Sequence, residues 1–290
     1  MKTRKFEIIT DSGCDMPKEY LQAHGIACVK LGFTMNNINY EGESGEKISV
    51  TDFYQKLRDG ATPTTYQVTG EMAKTTMERA LKKGKDLLVI AFSSGLSGTA
   101  DSFKVAGREL AKEYPNRKIY IVDSLCASMG QGLLLDYAIE QADQGKTIEE
   151  TAEFLENLKG KICHHFTVDN LYHLKRGGRI STATAIVGSI LKIKPIMKVD
   201  ELGKLVSVSK TVGRKKALRA LVDNFIESMD ESADRIFISH GDCMNDAEQV
   251  KELLAKKFPR IPITVHFIGP VIGSHAGAGT LALFVKGKKR

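Results

Sequence analysis

The chain has 290 residues, of which 42% are hydrophobic and 27% are charged, and its formal net charge is +7. This composition can support a sizeable core, which excludes wholesale disorder and predicts one large or two medium domains. The five cysteines form no C-x-x-C pair, which excludes a zinc pattern or a disulfide framework and suits a reducing cytoplasm. The sequence contains neither a signal-peptide core nor an apolar run of about 18 residues, so we expect a cytoplasmic protein without a membrane-spanning helix.

Residues 1–160 alternate between predicted strands and predicted helices. Apolar runs predict strands at residues 6–10, 27–35, 87–92 and 118–123. Helices are predicted at residues 17–25, 49–60, 70–86, 99–114 and 147–161, the last with Thr147 and Glu150 in capping-box register. This alternation indicates an N-terminal α/β/α sandwich around a parallel sheet.

Residues 161–290 predict a second, mixed α/β domain, with a hairpin at 194–212 and helices at 213–229 and 246–257. The charge changes at the same boundary, because residues 161–219 hold 13 Lys and Arg but only 3 Asp and Glu. This excess suits an anionic ligand, an acidic protein, a membrane surface or a nucleic acid, with a solvated basic face as the alternative. The predicted fold class is therefore two-domain α/β, with a ligand between the domains.

The stretch "AFSSGLSGT" (91–99) joins a predicted buried strand to a helix. Free N–H groups at such a junction, together with the hydroxyls of Ser93 and Ser97, can hold a carboxylate or a phosphate. Capping of the helix by Ser97 or Thr99 is one alternative. A second is an acyl or phosphoryl ester hydrolase with Ser97 as nucleophile, but Thr99 replaces the last glycine of G-x-S-x-G.

Two basic stretches and one histidine also carry polar chemistry. "LKRGGRIS" places Arg176 and Arg179 around two glycines, which suits an anion or an acidic partner. "GRKKALR" adds Arg214 and Lys215 on a predicted helix, and His275 lies in the glycine-rich "IGSHAGAGT". A nucleic-acid-binding module is a third interpretation, although the aromatic interleaving of single-strand binders is absent.

Seven stretches occur in an order typical of one protein family. They are "IITDSGCDMP", "TTYQVTG", "SSGLSGT", "VDSLCASMGQG", "LKRGGRIS", "LKIKPIM" with "GKL", and "IGPVIGSHAGAGT", and they span residue 8 to about residue 284. The chain resembles the DegV family of fatty-acid-binding proteins, which includes the FakB subunits of bacterial fatty acid kinases.

The resemblance implies a protein that is not an enzyme by itself. It would hold a long-chain fatty acid between its domains and present the carboxyl group to an ATP-dependent kinase subunit, which makes an acyl-phosphate for phospholipid synthesis. The family's head-group residues match Thr65 and Ser97 for the carboxylate, His275 beside them, and Gly177, Gly178 and Arg179 as the GGR segment. Tyr66 stands where the family commonly has Ser, and Ala276 and Ala278 replace Thr and Pro, which bears on chain preference and loop shape.

The remaining expectations concern the tail, the supports and the partner. We expect no metal or cofactor, only a fatty acid of about 16 to 18 carbons, whose tail would gain about 10 kcal/mol on burial before ordering costs. Ser93 and Gly98 are expected to support the head group, and Arg176, Arg214 and Lys215 to face the kinase subunit or an anionic membrane. Candidate tail-lining residues, chosen from apolar runs, are Ile186, Ile190, Leu191, Ile196, Phe267 and Ile272.

Overall fold

A computed structural model describes residues 4–41, 47–181 and 193–290. Within these ranges the strands are β1 (Phe6–Asp11), β2 (Ala27–Val29), β3 (Gly32–Met35), β4 (Ile38–Glu41), β5 (Thr64–Tyr66), β6 (Asp86–Ala91), β7 (Ile119–Asp123), β8 (Ile162–Thr167), β9 (Ile193–Val199), β10 (Leu205–Val212), β11 (Ile236–His240), β12 (Ile263–Phe267) and β13 (Leu281–Lys286). The helices are α1 (Lys18–Ala23), α2 (Val50–Arg58), α3 (Gly70–Lys82), α4 (Thr99–Glu113), α5 (Met129–Asp143), α6 (Ile148–Lys159), α7 (Tyr172–Arg176), α8 (Arg214–Ser228), α9 (Met244–Lys257) and α10 (Pro270–Ala276).

The first sheet is parallel, with strand order β2-β1-β6-β7. β6 is almost continuously apolar and buried, as a strand covered on both faces must be. On one face Val89 packs in a cluster with Phe103 of α4, and on the other Ile90 packs in a cluster with Leu134 of α5. The predicted parallel sheet with helices on both faces is therefore confirmed.

The second sheet is mixed, with strand order β10-β9-β8-β13-β11-β12. β11 and β12 are parallel, and the other neighbouring strands are antiparallel. Helices α8 and α9 cover one face, where Phe225 and Leu254 share a buried cluster. On the opposite face Phe166 and Phe284 belong to the same cluster as Leu134, so α5 lies between the two sheets.

Two features of the fold differ from the prediction. Residues 27–35 were predicted as one strand, but β2 joins the parallel sheet while β3 pairs with β4 and β5 in a separate three-stranded sheet. Between them the Leu31 N–H donates to Ser12 Oγ at 2.9 Å, so the chain leaves the first sheet at this residue. In addition, β13, which lies inside the second sheet between β8 and β11, was not predicted from the sequence.

Membrane-spanning helices and metal-binding clusters are both absent from the described residues. No helix among residues 4–41, 47–181 and 193–290 is both long enough and apolar enough to cross a membrane. Within the same residues, no group of three or more His, Cys, Asp or Glu side chains is arranged to hold a metal ion.

Candidate functional site

A cavity lies between the loops of the first sheet and the α5 face of the second sheet. Its enclosed volume is about 170 Å³, and the space between the wall atoms is about 970 Å³ when the open mouth is included. Most of the lining is apolar and comes from many elements, including Leu31, Phe92, Phe166, Leu174, Val199 and Phe284. The cavity is therefore suited to a largely apolar ligand.

Polar side chains gather in one part of this lining. Thr65 of β5 and His275 of α10 are joined by a hydrogen bond of 2.7 Å between Oγ1 and Nε2. Ser97 and Arg179 also line the cavity, and Ser97 Oγ lies 3.0 Å from Thr99 Oγ1. The structure thus brings together four of the predicted head-group residues.

His275 is neutral at physiological pH. Burial, followed by the nearby positive charges of Arg179 and Arg176, lowers the pKa of His275 to about 4. Its Nδ1 atom is buried and has no hydrogen-bond partner among the described residues. Because a buried orphan N–H is rarer than a buried orphan acceptor, we assign the proton to Nε2, which then donates to Thr65. The Thr65 O–H is left free to donate to a ligand in the cavity.

The GGR segment supports this arrangement in two ways. A Cβ on Gly177 would lie 2.1 Å from His275 Nδ1, so only glycine leaves room for the ring. Arg179 donates from Nε to the Leu96 carbonyl at 3.2 Å and from Nη1 to the Gly177 carbonyl at 2.5 Å. Gly178 is exposed and has a φ of 70°, which completes the turn between them.

Gly177→Ala should displace the His275 ring and break its hydrogen bond to Thr65. The φ of Gly177 is −74°, which alanine adopts freely, so the effect is steric. We expect a loss of about 1–3 kcal/mol in the free energy of unfolding, measured by urea denaturation. Gly160→Ala is the control, because Gly160 has a φ of −71° and no atom lies within 4 Å of the position that its methyl group would take. Equal stabilities of the two variants would contradict the steric role of Gly177.

Comparison with known proteins identifies the family. A family model described as "Uncharacterised protein, DegV family" matches residues 5–288. The chain belongs to the DegV family. A DegV domain-containing protein of Clostridium perfringens is 42% identical over 285 residues, covering 98% of this DegV chain and 98% of that protein. Another, from Lactococcus lactis, is 34% identical over 284 residues with the same coverage of both chains.

Solved DegV structures share the fold. A DegV family protein from Thermus thermophilus, described by its fatty acid binding, superposes with a TM-score of 0.86 at 30% identity, covering 98% of this chain and all (100%) of that one. DegV from Bacillus subtilis, described as a fatty acid binding protein, gives a TM-score of 0.83 at 30% identity, covering 99% and 100% of the two chains. The resemblance inferred from the seven sequence stretches is confirmed.

Ser93 and Gly98 of this DegV chain lie outside the cavity lining. Ser93 Oγ donates to the Gly203 carbonyl at 2.9 Å and accepts the Gly95 N–H at 3.1 Å, so it ties the serine loop to the β9–β10 turn. Gly98 precedes α4, and a Cβ there would lie 2.4 Å from Gln67 Oε1. Both positions therefore bear on a head group only through the shape of the serine loop.

The predicted tail-lining residues have different outcomes. Ile272 lines the cavity. Ile196 is fully buried on β9 but does not line it, and Phe267 lines a neighbouring cavity and packs on His240 at 4.3 Å between ring centroids. Ile186, Ile190 and Leu191 lie outside the described residues.

Several residues of the cavity wall were not predicted from the sequence. His164 and Phe166 on β8, and Ala282 and Phe284 on β13, are at alternate positions of neighbouring strands and share one face. That period of two was the available signal for β8, whereas β13 itself was not predicted. His164 is a wall residue held in place, since its Nδ1 lies 2.9 Å from the Ile162 carbonyl and its Nε2 accepts the Ala127 N–H at 3.2 Å.

The residues predicted to face a partner differ in exposure and in the internal contacts that they already make. Lys215 is exposed. Arg214 is half-buried, forms an ion pair with Asp246 at 2.7 Å and lies 3.7 Å from Asp169. Arg176 donates to two backbone carbonyls inside the molecule. The guanidinium groups of Arg176 and Arg214 thus already have internal acceptors, and of the three residues predicted to face a partner only Lys215 is exposed.

The geometry of Ser97 does not favour a nucleophilic role. Its hydroxyl is hydrogen-bonded to Thr99 Oγ1 and accepts the Thr99 N–H at 3.3 Å. The imidazole of His275, which also lines the cavity, is bonded to Thr65 instead. A nucleophilic serine needs a base within hydrogen-bond reach, and among the described residues the recorded partners of Ser97 Oγ include no histidine.

Proposed function

We propose that this protein binds one long-chain fatty acid, with the tail in the apolar cavity and the carboxylate at Thr65, Ser97, His275 and Arg179. The observation that carries the proposal is an apolar cavity with this polar cluster in its wall. The fatty acid binding described for the DegV proteins of Thermus thermophilus and Bacillus subtilis supports it.

The physical chemistry of the two ends matches a fatty acid. A carboxylate taken from water needs donors and positive charge. The free O–H of Thr65, the hydroxyl of Ser97 and the guanidinium of Arg179 supply them. Along the tail, each buried methylene contributes about 0.8 kcal/mol, so the affinity comes mainly from the cavity wall. The polar end fixes the direction in which the chain enters.

We further propose that the bound carboxyl group is the substrate of an ATP-dependent fatty acid kinase subunit, which forms an acyl-phosphate for phospholipid synthesis in the cytoplasm. Thr65, Ser97 and His275 are only partly buried, and the adjacent Tyr66 is 37% exposed. A head group bound there would stand near the surface, within reach of a second protein. Exposed Lys215 remains a candidate contact for that subunit or for a transient approach to an anionic membrane.

Lipid extraction and mass spectrometry of freshly purified protein test the carrier function. We expect one co-purifying fatty acid per chain. Thr65→Val combined with Ser97→Ala should weaken binding about a hundredfold or more, because two hydrogen bonds to a charged group are lost. The control is Thr64→Val, an exposed neighbour of Thr65 on β5. A chain that neither carries nor takes up fatty acid would overturn the proposal.

The kinase step has a separate test. The protein, loaded with fatty acid, is incubated with a fatty acid kinase ATP-binding subunit and ATP, and acyl-phosphate is trapped with hydroxylamine. We expect acyl-hydroxamate only when both proteins are present. Tight fatty acid binding without any hydroxamate would refute the kinase partnership and leave the carrier function intact.

A further inference from the structure

Arg176 connects the two segments that carry Thr65 and His275. It is the last residue of α7, and its guanidinium is partly buried. Nη1 donates to the carbonyl of Pro63 at 2.8 Å, and Nη2 donates to the carbonyl of Ser274 at 3.0 Å. Pro63 is two residues before Thr65, and Ser274 immediately precedes His275.

A guanidinium is well suited to holding two segments at a fixed separation. Its donors lie in one rigid plane, so two acceptors bonded to it are held relative to each other. β5 and α10 are distant in sequence, and the 2.7 Å contact between Thr65 and His275 joins residues 210 positions apart. Arg176 sets the spacing of the two backbones directly behind that contact.

No acid in the described part of the chain balances the charge of Arg176. Among the described residues, neither Arg176 nor Arg179 forms an ion pair with a carboxylate. The titratable groups that lower the pKa of His275 are Arg179, Arg176 and His173, and none of these is acidic. A carboxylate in the cavity would therefore meet a locally positive site, which favours its ionised form.

We propose that Arg176 is a positioning residue for the head-group site, which holds the Thr65–His275 pair in register through the Pro63 and Ser274 carbonyls. This inference rests on the proposed fatty acid binding for its effect on affinity. It replaces the partner-facing role that the sequence predicts for this arginine.

The test uses the full-length protein with the substitutions Arg176→Met and Arg176→Lys. Fatty acid affinity is measured by titration, and the pKa of His275 is measured by NMR in the ligand-free protein. Arg176→Met should weaken fatty acid binding about ten- to a hundredfold, the range expected for charge-assisted hydrogen bonds, and should raise the pKa of His275 from about 4. Arg176→Lys should keep that pKa low but still weaken binding, because one ammonium lacks the planar fork.

Lys175→Met, on the same helix and exposed, is the matched control and should leave both readouts unchanged. Wild-type affinity in both Arg176 variants would overturn the inference. So would a loss of affinity that merely follows the unfolded fraction while the pKa of His275 stays at its wild-type value. If Arg176→Met does not fold, the affinity of Arg176→Lys decides the matter. If the wild-type protein binds no fatty acid, the proposed function fails, while the His275 titration still tests the positioning role.

Discussion

Ala282→Phe is expected to weaken fatty acid binding strongly while leaving the fold intact. Ala282 lies on β13, is almost fully buried and contributes to the cavity wall. A phenyl ring at this position would occupy space that an acyl tail needs. Displacing about four methylene groups removes about 3 kcal/mol of burial, which corresponds to a loss of affinity of about a hundredfold or more. Titration with a fluorescent fatty acid measures the loss.

The unfolding temperature of the same variant separates blocking from misfolding. Filling an existing void costs little and can stabilise a protein, so the unfolding temperature of Ala282→Phe should be unchanged or higher. Ala282→Ser adds a single oxygen and serves as the control that should still bind. Ala282→Leu is the milder blocking variant if phenylalanine is not accommodated. A blocked variant that binds as tightly as wild type would show that the tail lies elsewhere.

Asp15→Asn is expected to make the protein progressively more stable than wild type as the pH rises. Asp15 is buried, accepts the Ser128 hydroxyl at 2.6 Å and accepts the Gly269 N–H at 3.0 Å. Burial is the main cause that raises the pKa of Asp15 to about 7. Asparagine keeps this geometry without a charge, since its oxygen can still accept from Gly269. Ser128 can then turn its proton to Ser239 Oγ, 3.0 Å away.

The direction of this pH dependence follows from proton linkage. Between the ordinary carboxyl pKa near 3.8 and the folded-state pKa near 7, the native state binds the proton that the unfolded chain has lost, so the contribution of Asp15 to stability falls as pH rises through this window. From pH 5 to pH 8 the stability of Asp15→Asn relative to wild type should increase by about 2–3 kcal/mol. Urea denaturation of both proteins at pH 5 and at pH 8 measures this change in the free energy of unfolding. The buried histidines titrate in the opposite direction in both proteins, so their contribution cancels when the two are subtracted. Asp101→Asn, with a side chain 71% exposed, should follow the wild-type curve.

Local signals in the sequence predicted many elements correctly. The Thr147 and Glu150 side chains form the predicted capping box at the start of α6. The apolar run that became β6 and the hairpin of β9 and β10 also formed as predicted. These features depend on residues close in sequence, where propensity and periodicity act directly. β5 was missed, and β3 was predicted as a continuation of β2, because the pairing of β3 with β5 joins segments about thirty residues apart and short strands carry little pattern of their own.

The candidate site shows the same difference between features set by local sequence and contacts between distant segments. The serine loop predicted an anion site, but its local pattern could not separate Ser97, which lines the cavity, from Ser93, which binds the Gly203 carbonyl. Only the family resemblance pointed to Thr65 and His275 together. The sequence could not reveal that the guanidinium of Arg176 donates to backbone carbonyls, since an exposed arginine and an internally hydrogen-bonded one look the same in a sequence.

The position of α5 opposes separation of the two sheets. This helix contributes side chains to a cluster that contains strands of both sheets. Moving the half of the molecule that carries the first sheet away from the half that carries the second sheet would therefore expose much of the apolar surface of α5 to water. We therefore expect the two halves to melt together as one cooperative unit. Exchange of a bound ligand should then depend on small displacements around the cavity mouth, while α5 keeps the two sheets in fixed relative positions.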